Sequence, residues 1–332
     1  MKTNSTVMAG IMAAAVMSFS ASAVAKELRL SMAPPPNSPW GAVAQKFVDK
    51  VNDVSGGKLT IKAFMASKLG GEQDVVKQIA RGRIDMGVMS NTAVSLLVPE
   101  FGLLASPYAF NSAKQFDCVA DNHLLSTFGK EFAGAGIRTL SWMEVGFQVV
   151  YSKNGVRVPA DLAGVKIRTA PSVTDSKFIQ TAGGTAVPLS PKDTIPALKT
   201  GQVTAATQLS VFGIVVGYPK VAPHITLTRH QHQVGGVIIS KRTWDKLSKQ
   251  EQGWINESAP VFLELRKIIR GAEGALIKKA QKEGATIINL TDAELAKWKS
   301  VAPKAQKIIL KEMGGAAGAK WQAIQKAKAA CS

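Results

Sequence analysis

The residue in this chain best suited to hold an anion is an arginine that closes a short strand. Asp161-Leu162-Ala163-Gly164-Val165-Lys166-Ile167-Arg168 reads as a loop, a turn at Gly164 and a strand of alternating character. Val165 and Ile167 point to one face, Lys166 and Arg168 to the other. Pro171 ends the strand, and Ser172 can cap a following helix. A guanidinium offers a planar fork of donors that meets a carboxylate with two parallel, charge-assisted hydrogen bonds. An arginine of this kind is equally at home on a surface, paired with a neighbouring acid. Other chemistry is thinly represented. His230 and His232, at i and i+2, share a strand face and admit a metal pair. No third ligand stands near them, and a zinc site needs three or more, so satisfied side chains and no metal are expected. Neither a Gly-x-Ser-x-Gly elbow nor a His-Glu-x-x-His helix occurs, so no catalytic residue and no cofactor are assigned. Cys118 and Cys331 could pair in an oxidising compartment, and spacing leaves that open.

The elements that would position Arg168 alternate in type. Glu27 to Met32 reads as a strand, Val43 to Val51 as a helix stopped by Gly56-Gly57, and Leu59 to Phe64 as the next strand. A helix opened by Gly70-Gly71 carries Glu72, whose acid suits the helix dipole. Ile84 to Met89 follows as a buried strand ending at Ser90-Asn91. Strand, helix, strand is the order of a parallel sheet. Ligands in such sheets bind beyond the carboxyl ends of the strands, so Met32 to Pro34, Ser67 to Gly71 and Met89 to Asn91 should face one crevice. The pattern repeats after Ile137 to Trp142 and Gly146 to Tyr151. The Arg168 strand leads to a helix over about 172–182 and a strand from Thr185 to Leu189. Ser190 caps a further helix, and a strand from Val203 to Thr207 ends at Gln208. Ile225 to Ile239 should return across a hinge. One long helix is expected from about Lys249 to Gly284.

The 332 residues suffice for about two domains. With 46% hydrophobic and 19% charged residues the composition is globular. Residues 1–25 read as a signal peptide: Lys2, an apolar run from Val7 to Phe19, and Ala23-Val24-Ala25 before Lys26. That run is too short to span a membrane, and no later run of about 20 apolar residues exists. The expected product is secreted, not embedded in a membrane, with the periplasm as the simplest destination. The formal charge is +18, or +17 once Lys2 is removed. It raises a basic polyanion binder as one reading. The basic residues are scattered or sit on C-terminal helices (Lys278, Lys279, Lys297, Lys299, Lys304, Lys307, Lys311) without interleaved aromatics, so no nucleic-acid partner is expected.

Four stretches in order resemble one family: Lys68-Leu69-Gly70-Gly71-Glu72, Arg81-Gly82-Arg83-Ile84-Asp85-Met86, Gly164-Val165-Lys166-Ile167-Arg168, and Ala197-Leu198-Lys199-Thr200-Gly201-Gln202-Val203. The chain resembles the dicarboxylate-binding type of periplasmic solute-binding subunit of tripartite ATP-independent periplasmic (TRAP) transporters. That resemblance implies two α/β domains joined by hinge strands, with a long domain-spanning C-terminal helix. One domain would comprise 26–145 and 234–273, the other 146–233 and 274–332, with crossings near Val145 and Val234. It implies a monomer that passes a small carboxylate to TRAP membrane subunits, with Arg168 as the family's key arginine. The sequence departs from the family where Gln148 replaces a frequent second arginine, with Phe147 before it. Gln208 falls where an asparagine or similar group stands, and Ser90 replaces a glutamate of sialate-binding members. The implied pocket has Arg168 as anchor, polar groups from Gln148, Gln208, Asn91 and Ser90, and apolar walls including Trp142 and Phe147. One strong anchor points to a monocarboxylate: a hydroxy, oxo or aromatic acid. A secreted α/β enzyme acting on a small organic acid is the alternative from another class.

Overall fold

The computed structural model describes residues 26–331. The expected signal peptide lies outside them. Nine strands form one sheet: β1 (Lys26–Met32), β2 (Leu59–Phe64), β3 (Met86–Ser90), β4 (Ile137–Ser152), β5 (Lys166–Thr169), β6 (Thr185–Pro188), β7 (Ala205–Leu209), β8 (His224–Ser240) and β9 (Thr286–Ile288). The helices are α1 (Pro39–Ser55), α2 (Glu72–Ala80), α3 (Asn91–Val94), α4 (Ala113–Gly134), α5 (Val173–Thr181), α6 (Pro191–Thr200), α7 (Ser210–Val216), α8 (Lys241–Asp245), α9 (Lys249–Ser258), α10 (Leu265–Lys282), α11 (Asp292–Met313) and α12 (Ala317–Ala330).

Local sequence explains the units. Ser38 caps α1 by accepting from Gly41 N, and Pro39 stands where a missing N–H costs nothing. Trp40, Val43, Ala44, Phe47 and Val51 fall on the buried stripe. The sheet order is β2-β1-β3-β8-β4-β7-β5-β6, with β9 against β8. At one side β2, β1 and β3 run parallel; at the other, β6, β5 and β7 do. These are the two α/β domains the alternating elements predict.

Two long antiparallel strands, β4 and β8, run through both domains. The end of β8 pairs with β3, and the end of β4 pairs with β7. Between Glu144↔Val234 and Gly146↔Gln233 the register shifts, leaving Val145 as an extra residue. Gly146 has φ 107°, a backbone state that side chains resist, so glycine is required at this bulge. Among the C-terminal elements, α10 touches both domains. Leu265 and Ile269 join the core around α1 and β1, and Ala280 joins the core around β7 and α6. The single helix expected from Lys249 to Gly284 is instead α9, a 3-10 turn at Ala259–Glu264 and α10. Pro260 lacks the N–H that an unbroken helix needs there. Cys118 on α4 and Cys331 after α12 are joined by a disulfide, which settles the pairing that spacing left open.

Candidate functional site

Arg168 leaves the end of β5, flanked by β6 and β7 in the parallel part of the sheet. Its side chain is folded into the protein, and the residue is only 1% exposed. Nε donates to Leu189 O at 2.9 Å and Nη1 to Thr207 O at 2.8 Å. The guanidinium is thus clamped between the chain just past β6 and strand β7. No carboxylate of the described residues lies within 4.0 Å of it. A buried cation without a counter-ion is costly, by several kcal/mol, unless something else supplies the charge.

The space in front of Arg168 is a cavity between the two domains. Gln148 from β4, Gln208 from β7, Gln233 from β8 and Ser90 from β3 line it together with Arg168. Glu72, the first residue of α2, faces the same space. Its Oε1 accepts from Ser90 N at 2.7 Å and its Oε2 from Ser90 Oγ at 2.8 Å. Burial pushes the Glu72 carboxyl up, against the lowering pull of the Ser90 bonds and the Arg168 charge. Oε1 of Gln148 and Oε1 of Gln233 are both buried and meet no donor. Gln208 is partly engaged: Nε2 donates to Tyr218 Oη at 3.1 Å, and Oε1 accepts from Leu209 N. Trp40, Phe212, Met143 and Val145 form apolar walls. Trp40 is fixed by donating Nε1 to Glu144 O at 3.0 Å. Behind Arg168, Asp175 accepts from Ala170 N and Thr207 Oγ1, and burial raises its pKa as well. The cavity therefore offers one clamped cation and several acceptors.

Three expected lining residues stand elsewhere. Trp142 stacks on Phe101 at 5.9 Å and packs near Phe132. Strict alternation from Gln148 would have put Trp142 on the cavity face. The extra residue at Val145 reverses the parity, so Met143 and Val145 take that face. Phe147 neighbours Gln148 in extended chain and so points the other way, stacked on His232 at 4.4 Å. Asn91 is fully buried at the start of α3 and donates Nδ2 to Phe101 O at 2.8 Å. Conversely, Glu72 and Gln233 were not singled out from the sequence. Glu72 had a helix-dipole role to account for it, yet its place directly after Gly70-Gly71 at a strand-to-helix turn was the available signal. Ser190 stands at the N-cap of α6 as expected, with its Oγ donating to Asp193 rather than accepting from the helix backbone.

The two histidines do not converge. His230 sits against Phe178 with Nδ1 2.7 Å from Thr228 Oγ1, whereas His232 Nε2 lies 2.7 Å from Glu144 Oε1. Among the described residues no group of three His, Cys, Asp or Glu could hold a metal. Burial pushes the His230 pKa down to about 3. The unfolded chain binds this proton below about pH 6.5 and the folded chain does not. Stability contributed above pH 6.5 is therefore lost as pH falls towards 3, at roughly 1.4 kcal/mol per pH unit. Thermal unfolding of the protein and of His230→Asn between pH 7 and 4 should show the steeper loss in the wild type. Parallel curves would remove His230 from the account.

Residues 30–328 match the DctP family, described as bacterial extracellular solute-binding protein, family 7. The 2,3-diketo-L-gulonate-binding periplasmic protein of Escherichia coli is 25% identical over 282 residues, covering 84% of this chain and 86% of the relative. Among solved structures, a TRAP periplasmic solute-binding protein of Sulfitobacter with bound β-D-galacturonate has a TM-score of 0.85 at 22% identity. The match covers 92% of this chain and 100% of that one. A TRAP periplasmic solute-binding protein of Ochrobactrum anthropi, with its C-terminus bound in its ligand-binding pocket, has a TM-score of 0.77 at 26% identity. That match covers 92% of this chain and 96% of the other.

Proposed function

The chain belongs to the DctP family of bacterial extracellular solute-binding proteins, and on that premise we propose that it captures a hydroxylated monocarboxylate in the cavity at Arg168 and delivers it to TRAP membrane subunits. The family is one of binding proteins for transport, not of enzymes. Within the described residues no helix is long and apolar enough to cross a membrane.

The observation that carries the reading is Arg168: buried, clamped by two carbonyls, and with no carboxylate of the described residues within 4.0 Å. A ligand carboxylate supplies the missing charge. It meets the guanidinium edge left free by Leu189 and Thr207. A second ligand carboxylate would face Glu72 and the oxygens of Gln148 and Gln233, and would lose its hydration without compensation. Hydroxyl groups suit those acceptors, each donating one hydrogen bond. The galacturonate-bound and diketogulonate-binding relatives named above handle acids of this general kind. Strands β4 and β8 are the crossings between domains, and the bulge at Val145 is the hinge. Closure about it buries the ligand and lowers the local dielectric, which strengthens the ion pair.

A thermal-shift panel of hydroxy monoacids, plain monoacids and diacids tests the reading. A hydroxy monoacid should raise the melting temperature in a concentration-dependent way, as binding to the native state requires. Stabilisation by DNA or heparin alone would favour the polyanion binder. Turnover of an acid by the isolated protein would favour the enzyme.

A further inference from the structure

A basic feature far from the cavity along the chain lies on α11. The buried side of this helix carries Trp298, Ala305 and Ile309, and it packs on α5. The opposite side carries Lys297, Lys304, Lys307 and Lys311, all exposed. At 3.6 residues per turn these four fall within an arc of about 80° and span about 21 Å of helix. No acid occurs in the sequence between Lys297 and Lys311. The nearest acids on the helix are otherwise engaged: Glu294 pairs with Arg157, and Glu312 lies 3.4 Å from Lys177 on α5. None of the four lysines has an ion pair among the described residues. An ordinary solvated helix face mixes charges at i and i+4. This one presents a single sign.

We propose that this lysine row is a docking surface for the anionic phospholipid headgroups of a bilayer. Charge fits that partner. A row of point charges of one sign matches a surface whose negative groups are mobile and can gather beneath it. A fixed protein partner fits less well. Protein interfaces are depleted in lysine and rely on aromatic and arginine anchors, and this arc holds neither. Only Ala293 and Ser300 share the arc with the lysines. With no apolar anchor, contact is electrostatic and reversible, and falls within a Debye length of the surface. Weak contact of this kind would confine the protein to a layer beside the membrane without holding it there.

Vesicle co-sedimentation tests the row in the full protein. The probes are vesicles of phosphatidylglycerol with phosphatidylcholine, and vesicles of phosphatidylcholine alone. The wild type should partition to the anionic vesicles at low salt, release at high salt, and ignore the neutral ones. The triple variant Lys304→Glu, Lys307→Glu, Lys311→Glu should lose on the order of a hundredfold in partitioning. A control, Lys58→Glu, Lys62→Glu, Lys267→Glu, changes net charge equally and should lose far less. Should charge reversal lower the melting temperature, the Lys→Gln triple replaces it, with a smaller loss in the same direction. Equal losses in the row and control variants would overturn the proposal, leaving only net charge. Absence of binding to anionic vesicles would also overturn it, and binding to polyglutamate instead would assign the row to an acidic protein.

Discussion

Arg168→Ala is expected to weaken ligand binding by about 2–5 kcal/mol, which in most assays is loss of detectable binding. The guanidinium is held by Leu189 O and Thr207 O, and no carboxylate of the described residues lies within 4.0 Å of it. On the proposed function its charge receives the ligand carboxylate. The variant leaves the ligand carboxylate buried without a cation, and that penalty supplies much of the loss. Arg168→Lys keeps the charge but one ammonium cannot reproduce the planar fork of the guanidinium, so its affinity should fall between alanine and wild type. Stability without ligand separates this role from a structural one. Removing a buried cation relieves its desolvation penalty, which offsets the loss of its bonds to Leu189 and Thr207 and of its charge near Glu72 and Asp175. The ligand-free alanine variant should therefore melt close to the wild type while losing its ligand-dependent rise. A large drop in ligand-free melting temperature with unchanged affinity would make Arg168 a packing residue.

The second large effect concerns the Cys118–Cys331 disulfide, which closes a loop across 213 residues. By chain entropy such a loop restricts the unfolded state by about 5 kcal/mol, and measured losses on removing native disulfides are typically 2–5 kcal/mol. The bond also fastens the end of α12 against α4, where Ile324 and Ala327 are buried. The paired Cys118→Ser, Cys331→Ser protein should lose stability of this size in denaturant unfolding. Its ligand affinity should be kept, since neither cysteine borders the cavity. Loss below about 1 kcal/mol would mean the unfolded chain is already compact enough to need no tether.

Much of the fold was legible because each unit carries its own local signal. Glycine stops, proline entries and alternating strands specify the order, and order alone forces two parallel regions. Arg168 was legible for the same reason: Gly164, a four-residue strand and Pro171 leave it at a strand end. Gln148, Gln208 and Ser90 follow from strand ends meeting at one crevice. Trp142 was misplaced because a bulge of one residue reverses which side chains face inward, and nothing around Val145 in the sequence announces an insertion. Glu72 was passed over since a first-turn acid already has an adequate reason to exist. Its second role depends on Ser90 approaching from another strand. The break at Pro260 was readable and was outweighed by an unbroken apolar period on either side.

The most direct measurement is calorimetric titration of the wild type with matched pairs of acids, identical except that one bears a single carboxylate and hydroxyls and the other bears two carboxylates. The cavity has one cation, Arg168, facing Glu72 and two glutamine oxygens without donors. The account predicts one site per chain, tighter binding of the hydroxy monoacid in each pair, and no heat from either acid with Arg168→Ala. Tighter binding of the diacid across the pairs would contradict it, since a second carboxylate would then have found a cation in the cavity that the site described here does not contain.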